Sequence, residues 1–305
     1  MASDTKGPQP AEDDLGRKMD RLFEAANPPP ASSARDALRL LHNKIAVLSA
    51  ACVADNLIVW DPKQRAIYAL FTLSQQTSRA TLQLADEGIV VPALILNRSR
   101  VEQLIISSYL VYENAERGID PFLKHMPIDS FLGVEAAFSD PLLRVLLEPE
   151  VDYGKARQDA LHAMADLDPD FNAEGDKFQR KWTKLDLLSI ARRRDELTAS
   201  TSSISSRIPL QSLYLSVYKT LSAVVHADSL AISPSFLGAI EFSPKQIPTL
   251  SYGWHWIDSI FSGTALCDMI QLYETMLFLR LDTSLDIATL TGEWLKASNE
   301  IIAKK

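Results

Sequence analysis

Two charged side chains stand four positions apart inside one of the most apolar stretches of the chain. They are Arg98 and Glu102, in Val91–Gly118, VPALILNRSRVEQLIISSYLVYENAERG. At that spacing they share one helix face and can pair. If the face turns inward, either ion alone is costly to bury, so each needs the other and further hydrogen-bond partners. Two readings follow: a structural ion pair bridging helices, or a ligand-binding or catalytic site. Glu113 and Arg117 repeat the spacing near the end of the stretch, where solvent is expected.

A second polar series lies more than a hundred residues later. Tyr214, Tyr218, Ser222 and His226 recur every four residues within Pro209–Ser229. On a helix that spacing gives one slowly slanting row of side chains. Each member carries a donor or acceptor that must be satisfied. Histidine is the type here that changes charge near neutral pH, which makes His226 the candidate acid or base. The candidate catalytic set is therefore His226, Arg98 and Glu102. Tyr214, Tyr218, Ser222 and Lys219 are candidate ligand contacts beside it. A histidine simply packed into the core is the plain alternative.

The third feature is cationic. Lys177–Arg194, KFQRKWTKLDLLSIARRR, holds seven Lys or Arg against one Asp. It is either a solvated helix face or a contact surface for phosphate or RNA. Trp182 within it can stack on a base or anchor its segment to the core, and it joins the candidate ligand contacts.

Other chemistries have no pattern here. There is no phosphate loop of the Walker type, no GxGxxG after a strand and no GxSxG. His42, His125, His162, His226 and His255 are scattered, and none forms HExxH or a Cys/His zinc set. No metal and no cofactor is expected. The two cysteines, Cys52 and Cys267, lie in apolar helical patterns without a CxxC, as buried free thiols of a reducing compartment would. The net charge of −8 argues mildly against nonspecific nucleic-acid binding, although a local basic face is compatible with it. The N-terminus has no apolar signal core, and no run of about 18 apolar residues exists. The expectation is a cytoplasmic protein without a membrane span.

The elements that must position these residues are helical. Of 305 residues 47% are hydrophobic and only 11 are glycine, which favours helices over a turn-rich β-protein. Residues 1–33 are polar and carry Pro28-Pro29-Pro30, so a flexible tail or linker is expected. Residues 34–305 are expected to form a single helical domain, an irregular multi-helix bundle. Helices are predicted over Ala34–Trp60, Pro62–Glu87 and Val91–Gly118, with short connections that imply antiparallel neighbours. Gly88 stops the second and Gly118 the third, with Pro121–Met126 as a connector. Ile128–Leu147 follows with a break at Pro141, then Tyr153–Leu167 and Lys177–Leu197. Thr198–Arg207, TASTSSISSR, is expected to be a loop. Pro209–Ser229, Tyr252–Leu281 and Leu285–Ala303 complete the helices. Between the first two of these, 232–248 is irregular, with a β-like piece at 237–242.

These separated motifs carry a resemblance. An Arg-x-x-x-Glu inside an apolar helix, Arg98 to Glu102, is followed by Trp182 and then by Tyr218-x-x-x-Ser222-x-x-x-His226. That order resembles the all-helical proteins grouped as domain of unknown function 5677, over roughly 34–235. The resemblance implies a helical fold and a polar site joining Arg98, Glu102 and His226. It brings no settled activity. A looser likeness is to helical ribonucleases of the HEPN type, whose sites use Arg, a short spacer and His on one helix. Here Lys219, not Arg, stands seven before His226. In such a metal-independent reaction His226 would be acid or base, and Lys219 or Arg98 would stabilise the phosphorane charge. Two functions therefore stand. One is a helical protein whose polar site is structural, or binds a partner, a second copy or a small ligand. The other is a nuclease-like effector in phage defence or toxin action.

Overall fold

A computed structural model of the chain describes residues 32–54, 60–147, 150–166, 181–201, 207–226, 256–281 and 284–303. The expected tail up to residue 31, the irregular piece 232–248 and the middle of the Ser/Thr-rich loop lie outside the described residues, and Ser33, the last residue expected in the tail, begins the first helix. Among the described residues every regular element is helical, so the all-α expectation holds. In order they are α1 (Ser33–Ala54), α2 (Pro62–Asp86), α3 (Val90–Tyr112), α4 (Ile119–Phe138), α5 (Pro141–Leu147) and α6 (Tyr153–Ala165). Then come α7 (Leu187–Thr198), α8 (Leu210–Leu213), a π segment (Tyr214–Tyr218), α9 (Lys219–Val225), α10 (Ile257–Phe278) and α11 (Ser284–Ile302).

Local chemistry sets several of the boundaries. Asp61 accepts from the Gln64 N–H at 2.8 Å, and the Gln64 side chain accepts from the Asp61 N–H at 3.1 Å. With Pro62 in the first turn, this capping box starts α2. Gly88 ends it with φ 73°, and the Ile89 N–H reaches back to the Leu84 carbonyl at 2.8 Å. That left-handed turn is the one glycine supplies most cheaply. Asp186 caps α7 by accepting from the Ser189 N–H at 2.7 Å.

Two boundaries differ from expectation. The third helix stops at Tyr112 because Glu113 turns extended, with ψ 152°. Gly118, expected as its C-terminal glycine, has φ −107° and instead precedes α4. Residues 121–126, expected as a connector, belong to α4. Pro121 is its third residue, where the missing N–H has no intrahelical partner to lose. Of the one or two helices expected over 177–197, residues 177–180 lie outside the described residues; α7 begins at Leu187, and Trp182 lies in the non-helical stretch 181–186 before it.

The core is arranged around α10, which is apolar on nearly every side and therefore takes the centre. Phe261, Ala265, Met269 and Leu272 pack with Leu38, Leu41 and Ile45 of α1, Phe71 of α2 and Leu94 of α3. Cys267 and Ile270 join Ile67, Val101, Leu104 and Ile105, with Ile190 and Ala191 of α7, in a second cluster. Helices α4 and α6 have a small core of their own around Ile128, Phe131, Ala160 and Ala163. Each buried Leu, Ile or Phe contributes about 1.5–3 kcal/mol. Apolar packing on this scale fixes α10, and the polar groups that α10 carries are buried with it.

Candidate functional site

Helix α3 runs beside the chain from α8 to α9, and Arg98 is the bridge between them. Its Nε donates to Ser222 Oγ at 2.8 Å and its Nη2 to the Tyr218 hydroxyl at 2.6 Å. The guanidinium carbon also sits 4.5 Å from the centre of the Tyr218 ring, a cation–π contact. Tyr218 in turn donates to Glu102 Oε2 at a long 3.4 Å. Tyr214 stacks on Tyr218, with ring centres 5.0 Å apart and planes 19° from parallel.

This arrangement depends on the π segment. The Lys219 N–H bonds to the Tyr214 carbonyl, five residues back instead of four. The wider turn holds one residue more than an α turn, a feature common at functional sites. It sets the relative rotation of the Tyr214–Tyr218 stack and the Ser222 hydroxyl, which all serve Arg98.

Arg98 and Glu102 themselves stay apart. Nη1 of Arg98 is 3.9 Å from Glu102 Oε2, with side chains 22% and 40% exposed. That is too long for a hydrogen bond, and water reaches both ions, so the pair contributes little to stability. Tyr218 has its phenol pKa raised, first by burial and then by the Glu102 charge. It therefore remains protonated at neutral pH and is able to donate.

Arg98, Glu102, Tyr214, Tyr218 and Ser222 thus come together. His226 ends the row in the turn after α9. It is exposed, and its N–H donates to the Ser222 carbonyl at 3.0 Å. Among the described residues its ring makes no hydrogen bond or ion pair with Arg98 or Glu102. Lys219 is exposed on the same helix. Trp182 is elsewhere: it packs on Phe122, edge to face at 5.4 Å, and on Tyr109 at 5.9 Å. Tyr109 lies about 16 Å along α3 from Arg98 at the usual helical rise. Trp182 there borders a cavity of about 660 Å³ that Glu113, Arg117 and Arg193 also line.

The basic run does not form one cationic face. Arg194 is fully buried, and Arg193 donates to Glu113 at 2.8 Å. The hydrogen bond from Arg193 is the largest of the effects that lower the Glu113 pKa. The expected Glu113–Arg117 face is lost because α3 ends at Tyr112 and the two residues no longer share a helix.

A larger set of buried charges was not anticipated. Arg100 and Asp268 have no exposed surface. Arg100 Nε donates to Ser78 Oγ at 2.9 Å and to Asp268 Oδ1 at 3.1 Å. Ser78 donates to Asp268 Oδ1 at 2.6 Å, and His42 Nδ1 lies 2.7 Å from Oδ2. Two turns along α10, Glu274 takes Arg194 Nη2 at 2.5 Å and a short hydrogen bond from Ser108. Between them the Gln271 amide donates to Ser107 at 2.9 Å and Ser74 at 3.1 Å. Two arginines and two carboxylates thus balance one to one inside the bundle. The signal for this lay in the acids of the last long apolar helix. Asp268 and Glu274 interrupt that pattern as Arg98 and Arg100 interrupt α3, and a buried acid demands a cation.

Cys267 lies beside this seam, with its thiol pKa pushed up to about 11 by burial, so it is unreactive as a nucleophile. Among the described residues no group of three His, Cys, Asp or Glu side chains could hold a metal ion. Among them, too, no helix is long and apolar enough to cross a membrane.

The fold and its charges define an all-α protein with a polar seam through its centre and a half-exposed polar cluster at a π segment. More particularly, the chain belongs to a family of unknown function, DUF5677, whose sequence pattern matches residues 64–242. The match starts in α2 and takes in both halves of the Arg98 cluster. No curated protein and no solved structure matches the chain.

Proposed function

We propose that the protein is a binding protein whose Arg98 cluster takes a small polar ligand or a polar side chain of a partner. The observation that carries this is the open pair. Arg98 is held by Ser222 and Tyr218, yet it stops 3.9 Å short of Glu102. A ligand group with an acceptor for Nη1 and a donor for the carboxylate can bridge the two from the solvent side, as an amide or a protonated acid does. Tyr214, stacked on Tyr218, offers that ligand an aromatic wall. The test is saturation-transfer NMR with a panel of small amides and carboxylic acids. Binding by the wild type that disappears in both Arg98→Ala and Glu102→Gln is the expected result. No binding by the wild type, or binding unchanged in the variants, rejects the reading.

A second reading is metal-independent ribonuclease action with His226 as acid or base. What favours it is that Lys219 on α9 and His226 in the turn after it are both exposed on the segment whose Ser222 holds Arg98. Labelled RNA incubated with wild type and with His226→Ala decides it. Absence of cleavage, or equal cleavage by both, removes the ribonuclease and the defence or toxin role that rests on it. The unreactive thiol of Cys267 is in keeping with action in a reducing, cytoplasmic setting.

A further inference from the structure

A cavity of about 90 Å³ lies where α3, the π segment with α9, and α10 meet. Val217 and Leu221 line it, whereas the next residues, Tyr218 and Ser222, hold Arg98, so it is a separate site. We propose that it binds a small neutral aliphatic carbonyl compound.

Asn97 lines this cavity and is only 4% exposed. Its Oδ1 is sealed and has no hydrogen-bond partner, and among the described residues its Nδ2 has none either. A buried amide left unbonded is unusual in a folded interior. The Nδ2 end is the one turned to the cavity. A Cβ placed on Gly263, another lining residue, would lie 3.9 Å from Nδ2, an ordinary contact. A methyl group therefore fits there, and alanine is the more stable choice inside a helix. What Gly263 provides is space in front of a donor.

The other walls set the chemistry of what fills that space. Leu94, Val101, Val217, Leu221, Trp256 and Ile260 are apolar. Among the described residues no charged side chain lines the cavity, and the Cys267 thiol on its wall stays protonated. A carboxylate or an ammonium would thus lose its hydration without gaining a counter-ion. The Ser216 and Thr220 hydroxyls already donate to the Ser212 and Ser216 carbonyls, at 2.7 and 2.8 Å. A ligand carbonyl accepts from Nδ2 and brings no donor of its own to satisfy, while its alkyl groups cover the apolar wall. A cavity of about 150 Å³ takes benzene, so this smaller one suits about four or five heavy atoms.

The test is an NMR titration of the full chain with butanone, with 2-butanol and propionate as comparisons of matched size. It is read at the Asn97 side-chain amide and the Gly263 N–H. Butanone is expected to shift these signals saturably, 2-butanol more weakly and propionate not at all. Asn97→Leu removes the donor at equal branching and is expected to weaken butanone binding about tenfold. Its melting temperature should not fall, because a buried oxygen without a partner goes with it. Gly263→Ala sets a methyl group against Nδ2 and should weaken binding at least about tenfold, with the chain melting no lower than wild type. This variant carries the test whether or not Asn97→Leu folds. No saturable shift, as water alone in the cavity would give, overturns the proposal. So does unchanged affinity in Gly263→Ala, or 2-butanol or propionate matching butanone. Binding lost in Arg98→Ala yet kept in Gly263→Ala assigns the ketone to the Arg98 cluster and overturns it as well.

Discussion

Arg98 and Arg100 stand two positions apart on α3 in different surroundings. Arg98 keeps 22% of its side chain in solvent, whereas Arg100 keeps none. Losing a partner therefore has unequal effects. Glu102→Ala leaves Arg98 with Ser222, Tyr218 and water, and the cost is within about 1 kcal/mol. Asp268→Ala leaves Arg100 buried without its counter-ion, and the cost is about 3–5 kcal/mol. That is a large share of an ordinary domain's total, and urea unfolding of the two variants should show it. Arg100→Met with Asp268→Leu should recover only part of the loss, since it strands neither ion but leaves the Ser78 hydroxyl and His42 Nδ1 without the carboxylate. Acid acts on a different pair. Glu113 titrates below its ordinary 4.5 because Arg193 donates to its carboxylate. The stability it adds is complete above the unfolded-state value and disappears as pH falls through the folded one. Glu113→Gln should thus lose less stability than wild type in melts taken from pH 5 downward. An equal loss would remove Glu113 from the account.

At the scale of elements, apolar periodicity and punctuation residues predicted the long helices well. Pro62 and Gly88 bounded α2 as expected, and Pro141 did separate two helices. Gly88→Ala should destabilise by about 1 kcal/mol, because an added Cβ resists φ 73°. A thermal melt equal to wild type would show that the turn tolerates it. The misread boundaries have physical causes. Gly118 and Pro121 look like a helix end followed by a breaker. Yet proline is harmless in a first turn, so the same two residues begin α4. The π segment was not legible at all. Tyr214, Tyr218 and Ser222 are spaced for an ordinary helix, and no local propensity marks one added residue per turn.

For the molecule as a whole, composition and pattern were enough for the fold class, and the family resemblance brought Arg98 to the later row, where Tyr218 and Ser222 bond to it and, among the described residues, the His226 ring does not. Composition and pattern did not reveal the interior. The long apolar run of α10 concealed Asp268 and Glu274, because periodicity counts apolar positions and passes over the few acids among them. The basic run misled in the opposite direction. Seven cations close in sequence suggested a surface, whereas the fold sends Arg194 inward to Glu274 and Arg193 to Glu113. Charge density along a chain does not say which charges face each other across it.

The π segment also acts like a shim in a screw thread. A helix advances about 100° per residue, so one added residue leaves everything beyond it about 100° out of phase with an unbroken thread. The segment at Tyr214–Tyr218 is therefore a setting of angle, and Ser222 points at Arg98 in that setting. Straightening that turn into an ordinary α turn without changing its length would turn the Ser222 hydroxyl away from the guanidinium. A change that made the helix more regular would, by that rotation alone, disconnect the cluster.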